Sequence, residues 1–309
     1  MLAGAIRRSS PVTSCLRPAL ETATFRNPTI WSTLDGLYAK LMRPATAEVS
    51  GGMRTRYLGK PFVYPDGTGI GSTISRGVEW DWILRDIVRE LLPQESPVVC
   101  EVGSNIGASV LQILKARPRA RVVCFEPSKR FLPYLEENLR LAGYRDVEVR
   151  NLLVGPSRGN HWLYNDATSG SVRDWSHYSE RQLVEMTTLD HFWIDRSPID
   201  FLKVDTDGYD FEVLRGGQEL LARDHPLIFF ELSPHLMQDD PVEGFRWLQS
   251  LGYETFCAFA PAGGLLEITL EPSAVIGHAE TASHCDVLAC QAGLDVASRL
   301  KQIRGRAVA

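Results

Sequence analysis

Two glycines and the polar residues around them carry the first chemical signal in this 309-residue chain. Val98-Val-Cys-Glu-Val-Gly103-Ser104-Asn105-Ile106-Gly107 runs from β-branched and apolar residues into a glycine-rich turn, and Val110 to Ala116 then follows a helical pattern. Such a stretch reads as a buried strand turning sharply into a helix with a bare N-terminus, a place where backbone N–H groups can receive a ligand. Glycine spacing narrows the ligand. A dinucleotide fingerprint needs glycines at i, i+2 and i+5, and those positions hold Gly103, Asn105 and Ala108. The glycines fall instead at i and i+4, with Glu101 two residues ahead of the first, the form in which an S-adenosylmethionine turn is usually written. A purely structural strand-to-helix turn is the alternative.

Other strand ends supply polar groups of matching chemistry. Arg121-Val-Val-Cys-Phe-Glu126 reads as a second buried strand ending on an acid, 23 residues after Gly103, the interval at which a carboxylate can accept hydrogen bonds from both hydroxyls of a bound ribose. A surface acid at a strand end is the alternative. Asn151 closes a third strand and can meet the adenine. Backbone N–H groups of the Gly103 to Gly107 turn, including Ser104 and Asn105, can receive the methionine carboxylate, and Glu101 its ammonium. A fourth strand, Ile199 to Val204, runs directly into Asp205-Thr-Asp207-Gly208-Tyr209-Asp210.

These residues need a scaffold, and the hydrophobic periodicity provides one. Strands opening at Val98 and lying at 121–126, 146–150, 199–204, 226–231, 253–259 and 286–290 alternate with helices at 79–92, 110–116, 129–142, 211–220 and 241–251. That order predicts a Rossmann-like, doubly wound α/β fold with a mostly parallel seven-stranded sheet and one antiparallel edge strand. Ligands in such sheets bind beyond the carboxyl ends of the strands, near the switch in strand order. Ahead of the sheet the spacing predicts a short helix over 30–42, a hairpin over 57–64 and a mobile linker or lid over 67–77. Pro133 predicts a late start or a kink in the helix after Glu126. The segment 155–184 is too irregular for a core element; its Trp162, Tyr164, Trp175 and Tyr178 suggest a sugar-stacking rim or an apolar lid. The expected organisation is an N-terminal extension over 1–75, a catalytic domain over 76–295 and a C-terminal tail over 296–309.

Composition bounds the partners. The chain is 44% apolar and 23% charged with a net charge of −5, so it lacks the basic excess expected for a nucleic-acid backbone. No apolar run approaches the ~18 residues of a membrane span. Six dispersed cysteines without CxxC pairs suggest reduced thiols, and with the absence of an apolar secretory segment they predict a soluble, cytoplasmic protein. Residues 1–28, with Pro11, Pro18 and Pro28, carry no sustained period. No oligomeric state is implied.

Glu101-Val-Gly-Ser-Asn-Ile-Gly107, Phe125-Glu126-Pro127, Leu202-Lys-Val-Asp-Thr-Asp-Gly-Tyr-Asp-Phe-Glu-Val-Leu-Arg-Gly216 and Phe229-Phe-Glu231 stand in an order that resembles the FkbM family of S-adenosylmethionine-dependent methyltransferases. The resemblance spans about 98–233, with Glu79 matching an acid upstream. It implies a class I methyltransferase fold, Pro127 among the cofactor-binding residues, and O-methylation of a hydroxyl on a sugar, glycolipid or secondary metabolite. Asp207 and Asp210 stand where the family usually has Glu, and Glu101 where it usually has Asp.

An alcohol is a poor nucleophile at neutral pH and needs a base or a metal. Asp205, leaving the fourth strand beside the glycine turn, is the best placed candidate base; Asp207 and His235 follow it. The three aspartates at 205, 207 and 210 could also hold Mg²⁺, although acids at a helix start equally complement its dipole. His161, His177 and His191 have no assignable place. Two other function classes stay open on the residues alone: a nicotinamide oxidoreductase and a non-catalytic adenosylmethionine-binding module.

Overall fold

A computed structural model describes residues 52–165, 170–172 and 180–304. The expected helix over 30–42, the proline-rich start, His177, Trp175 and Tyr178 lie outside the described residues. The first described element is a hairpin, β1 (Met53–Tyr57) and β2 (Lys60–Tyr64), turning on Leu58 and Gly59. Next come β3 (Val98–Val102), β4 (Arg121–Phe125) and β5 (Glu148–Arg150), which are parallel to one another. Short strands β6 (Leu153–Val154), β7 (Gly159–Asn165), β8 (Gly170–Ser171) and β9 (Glu180–Thr187) follow. The chain then returns through β10 (Phe201–Val204), β11 (Leu227–Leu232), β12 (Tyr253–Phe259), β13 (Leu265–Thr269) and β14 (Cys285–Gln291).

The main sheet has the order β13-β12-β14-β11-β10-β3-β4-β5. Strands β5, β4, β3, β10 and β11 run parallel; β14 is antiparallel to both of its neighbours, and β13 is an antiparallel edge. The chain builds outward from β3 to β5 and then resumes on the other side of β3 with β10. The switch in strand order therefore falls between β3 and β10, opening a crevice above their carboxyl ends. Their register pairs Val99 with Phe201, Cys100 with Leu202, Glu101 with Lys203 and Val102 with Val204. All nine residues of these two strands are buried, as strands covered on both faces must be, yet two of them are charged.

Helices cover both faces. On one side Trp82–Leu91, Ala108–Ala116, Leu132–Ala142 and Val296–Arg304 pack with the hairpin around Ile87, Val110, Ile113 and Leu135. On the other, Leu189–Trp193, Asp210–Arg215, Gln218–Asp224, Pro241–Ser250 and Pro272–Ala282 enclose Phe211, Phe230, Phe245 and Phe256. The helix after β4 starts at Leu132 with Pro133 in its first turn, where a missing N–H costs nothing, so the proline sets a late start rather than a kink. Gly143, at φ +95°, ends that helix.

Three regions differ from expectation. The sheet has eight strands rather than seven; the addition, β13, is a half-buried edge without a strong apolar signature. The segment over 67–77 contains a helix, Gly69–Ser75, seated by buried Ile74 and by Gly71, where a Cβ would stand 2.0 Å from the Tyr64 ring. Within the segment over 155–184, the described strands β7, β8 and the start of β9 belong to a second sheet, β6-β9-β7-β8, around Leu153, Leu163, Val184 and Met186. Among the described residues no helix is long and apolar enough to cross a membrane.

Candidate active site

The loops leaving β3 and β10 are pressed together. Gly103 has φ +84°, and a Cβ on it would lie 1.9 Å from the carbonyl oxygen of Asp205. Gly107, at φ +86°, begins the helix Ala108–Ala116 with the Leu135 side chain 2.8 Å from where its Cβ would be. Only glycine tolerates both the backbone angle and the contact at these two positions. The turn also consumes much of its own hydrogen-bonding capacity. The N–H groups of Gly103 and Ser104 donate to Phe125 O, and that of Gly107 to Ser104 O. Those three amides, expected to receive a carboxylate, instead hold the turn in shape.

Above the turn lies a cavity of about 340 Å³, within the ~300–1,000 Å³ range of small-molecule sites. Of the residues expected at the site, Gly103, Asn105, Glu126, Pro127, Asp205 and Asp207 line it. Glu101, Ser104, Gly107, Asn151 and His235 do not.

Glu126 is only 4% exposed and faces the cavity. Its Oε2 accepts the Asn105 N–H at 2.7 Å and its Oε1 the Ser128 N–H at 2.8 Å. Burial pushes its carboxyl up to about 7, with the two amide bonds acting in the opposite sense. Each oxygen keeps a further lone pair, so the carboxylate is fixed in orientation and still able to accept from a diol. Phe131, Leu152, Leu153 and Pro127 form an apolar wall next to it, suited to a flat heteroaromatic ring. Asn151 lies outside this lining: it is exposed, and its Nδ2 donates to the carbonyls of Glu126 and Pro127, both at 2.9 Å. It clips β5 to the loop carrying Glu126.

Glu101 lies behind the cavity, wholly buried on β3. Its Oε1 accepts the hydroxyl of Ser109, while its Oε2 has no hydrogen-bond partner. Burial drives its carboxyl up to about 7 against the pull of Lys203. Lys203, the register partner of Glu101 on β10, is the residue the sequence reading passed over. Its buried Nζ stands 2.9 Å from Asp205 Oδ2, 3.7 Å from Glu101 Oε1 and 3.9 Å from Asp81 Oδ2. The carboxylates hold its pKa above the ordinary lysine value despite burial. The available signal was a single lysine inside the apolar run Phe201 to Val204.

Asp205 thus reaches the cavity with one oxygen committed to an ammonium. Asp207 occupies a left-handed turn at φ +51°. Asp210 is buried at the start of its helix, where Oδ2 accepts the Thr206 hydroxyl at 3.1 Å, and burial among acids raises it well above the ordinary carboxyl range. Asp205 is held by Lys203 and Asp210 by Thr206, and among the described residues no group of three His, Cys, Asp or Glu side chains is arranged to hold a metal.

His235 is exposed in the short 3₁₀ helix Pro234–Leu236 and does not line the cavity. The imidazole in the wall is His284, at the entry to β14. Because β14 runs against β11, its beginning rather than its end lies at the ligand edge of the sheet; a reversal in direction was the signal for it. Trp162 is 45% exposed beneath the Arg181 guanidinium, and the aromatics that line the cavity are Trp80, Phe131 and Tyr209. Glu79 pairs with Arg85.

Residues 101–255 match the family model described as the methyltransferase FkbM domain. The 2-O-methyltransferase NoeI of Sinorhizobium fredii (strain NBRC 101917 / NGR234) is 32% identical over 157 residues, 45% of this chain and 64% of that protein. The chain thus spans somewhat less than two thirds of the curated relative it matches. Among solved structures, the methyltransferase FkbM from Methylobacillus flagellatus KT aligns with TM-score 0.42 and 16% identity over 63% of this chain and 44% of that one. The precorrin-6y C5,15-methyltransferase from Geobacter metallireducens GS-15 aligns with TM-score 0.37 and 13% identity over 67% and 87%. With half of its length inside the matched segment, including the Gly103 to Gly107 turn, β10 and the acids beyond it, the chain belongs to the FkbM methyltransferase family.

Proposed function

We propose that the protein is an S-adenosylmethionine-dependent O-methyltransferase acting on a hydroxyl of a sugar, glycolipid or secondary metabolite. The observation that carries the reading is the cavity at the switch point, with the anchored carboxylate of Glu126 on one side and Asp205 on the other. Family membership supports methyl transfer, and the relative named as a 2-O-methyltransferase supports oxygen as the acceptor atom. In this reading Glu126 holds the ribose hydroxyls, the wall of Phe131, Leu152 and Leu153 meets the adenine, and the methionine end lies towards Gly103. The unpartnered Oε2 of buried Glu101 is an acceptor suited to the ammonium, reached through a rearranged side chain or a water. The bound cofactor supplies a methyl group activated by a sulfonium. The protein's contribution is chiefly to hold the acceptor oxygen in line, an effect of up to about 7–11 kcal/mol. Five buried cysteines without disulfide partners support a cytoplasmic location.

The test is transfer of a labelled methyl group from adenosylmethionine to glycan and metabolite extracts, with mass detection of the product. The reading predicts one methyl per acceptor on a hydroxyl and a large loss of transfer in Glu126→Ala. Binding of adenosylmethionine without transfer to any acceptor would instead favour a non-catalytic module. Binding of NADH in its place would favour an oxidoreductase.

A further inference from the structure

The methyl-transfer reading leaves the proton of the acceptor hydroxyl unassigned, and the cavity contains an imidazole placed to take it. Strand β14 pairs Cys285 with Leu232 and Asp286 with Glu231 in antiparallel register. His284, the residue just before it, therefore stands at the edge where β3, β10 and β11 end, in the same cavity wall as Asp205, Asp207 and Glu231. The residue that delivers it is strained. Ser283 has φ +73° and ψ −33°, a conformation that a residue with a Cβ rarely adopts and of the kind that collects at functional sites. Its Oγ lies 3.3 Å from His284 Nδ1. That contact engages Nδ1, and in the tautomer whose Nδ1–H donates to the hydroxyl the imidazole lone pair is on Nε2.

We propose that His284 Nε2 is the catalytic base that takes the acceptor hydroxyl proton, with Asp205 as the fixed negative charge that stabilises the imidazolium. The proposal rests on the methyl-transfer reading above. The acceptor oxygen forms its bond to the methyl carbon as the carbon–sulfur bond breaks. The bonding pair stays on sulfur, which becomes a neutral thioether, and the hydroxyl proton passes to Nε2 and later to water. Asp205 is suited to the electrostatic role because its Oδ2 is already held by Lys203 at 2.9 Å.

The surroundings set the protonation state. Asp205 acts on His284 from the loop after β10 and His235 from the short helix after β11, while Glu231 of β11 shares its cavity wall; Asp286 of β14 belongs with Asp81, Glu231 and Asp205 to one acidic group around Lys203. Burial lowers the imidazole pKa first, Asp205 raises it and His235 lowers it again, leaving it below the ordinary value. The ring is therefore neutral and able to accept a proton at neutral pH.

The test has one measurement on the protein alone and one on turnover. In ¹H–¹³C NMR of the ligand-free protein, the His284 ring should titrate below the ordinary imidazole value, and Asp205→Asn should move that midpoint lower still. In His284→Gln, kcat should fall by about 10²–10⁴-fold while calorimetric affinity for adenosylmethionine stays at the wild-type level. The acidic limb of the wild-type pH–kcat profile should vanish. A His284 midpoint indifferent to Asp205→Asn, or a His284→Gln enzyme that keeps its turnover and its acidic limb, would overturn the proposal. If wild type transfers no methyl group to any acceptor, the functional reading itself fails and the base assignment falls with it. Normal transfer by both wild type and His284→Gln removes the base assignment alone.

Discussion

Lys203 shows how one side chain ties the strand pair to the site. Its ammonium is 2% exposed and answers Asp205, Glu101 and Asp81, which come from three different segments. Removing one partner of a buried ion pair leaves a charge without compensation and costs about 3–5 kcal/mol. Lys203→Met should therefore lower the unfolding free energy measured by urea titration by that amount, and Lys203→Met/Glu101→Gln should recover part of the loss because one stranded carboxylate is gone. A Lys203→Met loss no greater than that of an exposed pair, about 1 kcal/mol or less, would contradict this account. Sequence periodicity marks Phe201 to Val204 as a strand but not Lys203 as its electrostatic centre, since that role depends on Glu101 facing it across the register. The roles of Asn151 and His284 were hidden for the same reason. Asn151 commits its Nδ2 to two carbonyls that only the folded chain brings to it, and His284 acquires its position only from the direction of β14.

At the scale of elements, the long buried strands and the turns that end them were legible because burial on both faces leaves a continuous apolar run closed by glycine or acid. The strand Tyr253–Phe259 was expected with the boundaries it has, and β4 within a residue. Half-exposed elements were not. In β7 and β9 the register puts exposed Trp162 opposite exposed Leu183, so the alternation that marks a strand is obscured. The glycine-rich segment over 67–77 looked like a linker because its helix depends on Gly71 fitting beneath Tyr64, a tertiary contact. A pair of glycines tests whether the β3 turn is built by backbone angle alone. Gly59 and Gly103 have nearly the same φ, +82° and +84°, yet nothing lies within 4 Å of a Cβ on Gly59, whereas Gly103 has the Asp205 carbonyl at 1.9 Å. Gly59→Ala should cost only the left-handed strain of about 1–2 kcal/mol. Gly103→Ala should cost clearly more and also weaken adenosylmethionine binding; equal thermal destabilisation by the two would show that the loops are free to separate.

The molecule as a whole places an excess of acids around the end of its central strands, and this has a consequence for stability. Burial raises Glu101 and Glu126 to about 7 and Glu231 to about 8, from an ordinary 4.5. A carboxyl whose folded pKa is raised binds its proton more tightly folded than unfolded. Its stabilisation is complete below 4.5 and is lost as pH rises through 7 to 8. The melting temperature of the ligand-free protein should thus be higher near about pH 5 than near about pH 8.5 at fixed ionic strength. A flat or rising profile over that window would mean these acids are well solvated. The central claim is that the crevice between β3 and β10 is an adenosylmethionine site anchored on Glu126. Calorimetric titration with adenosylmethionine of wild type and of Glu126→Ala, with folding of the variant checked by circular dichroism, tests it most directly. The account predicts one site per chain in wild type and a loss of about ten- to hundredfold in affinity, about 1.5–3 kcal/mol, for the folded variant. No binding by wild type, or equal binding by both proteins, would contradict it.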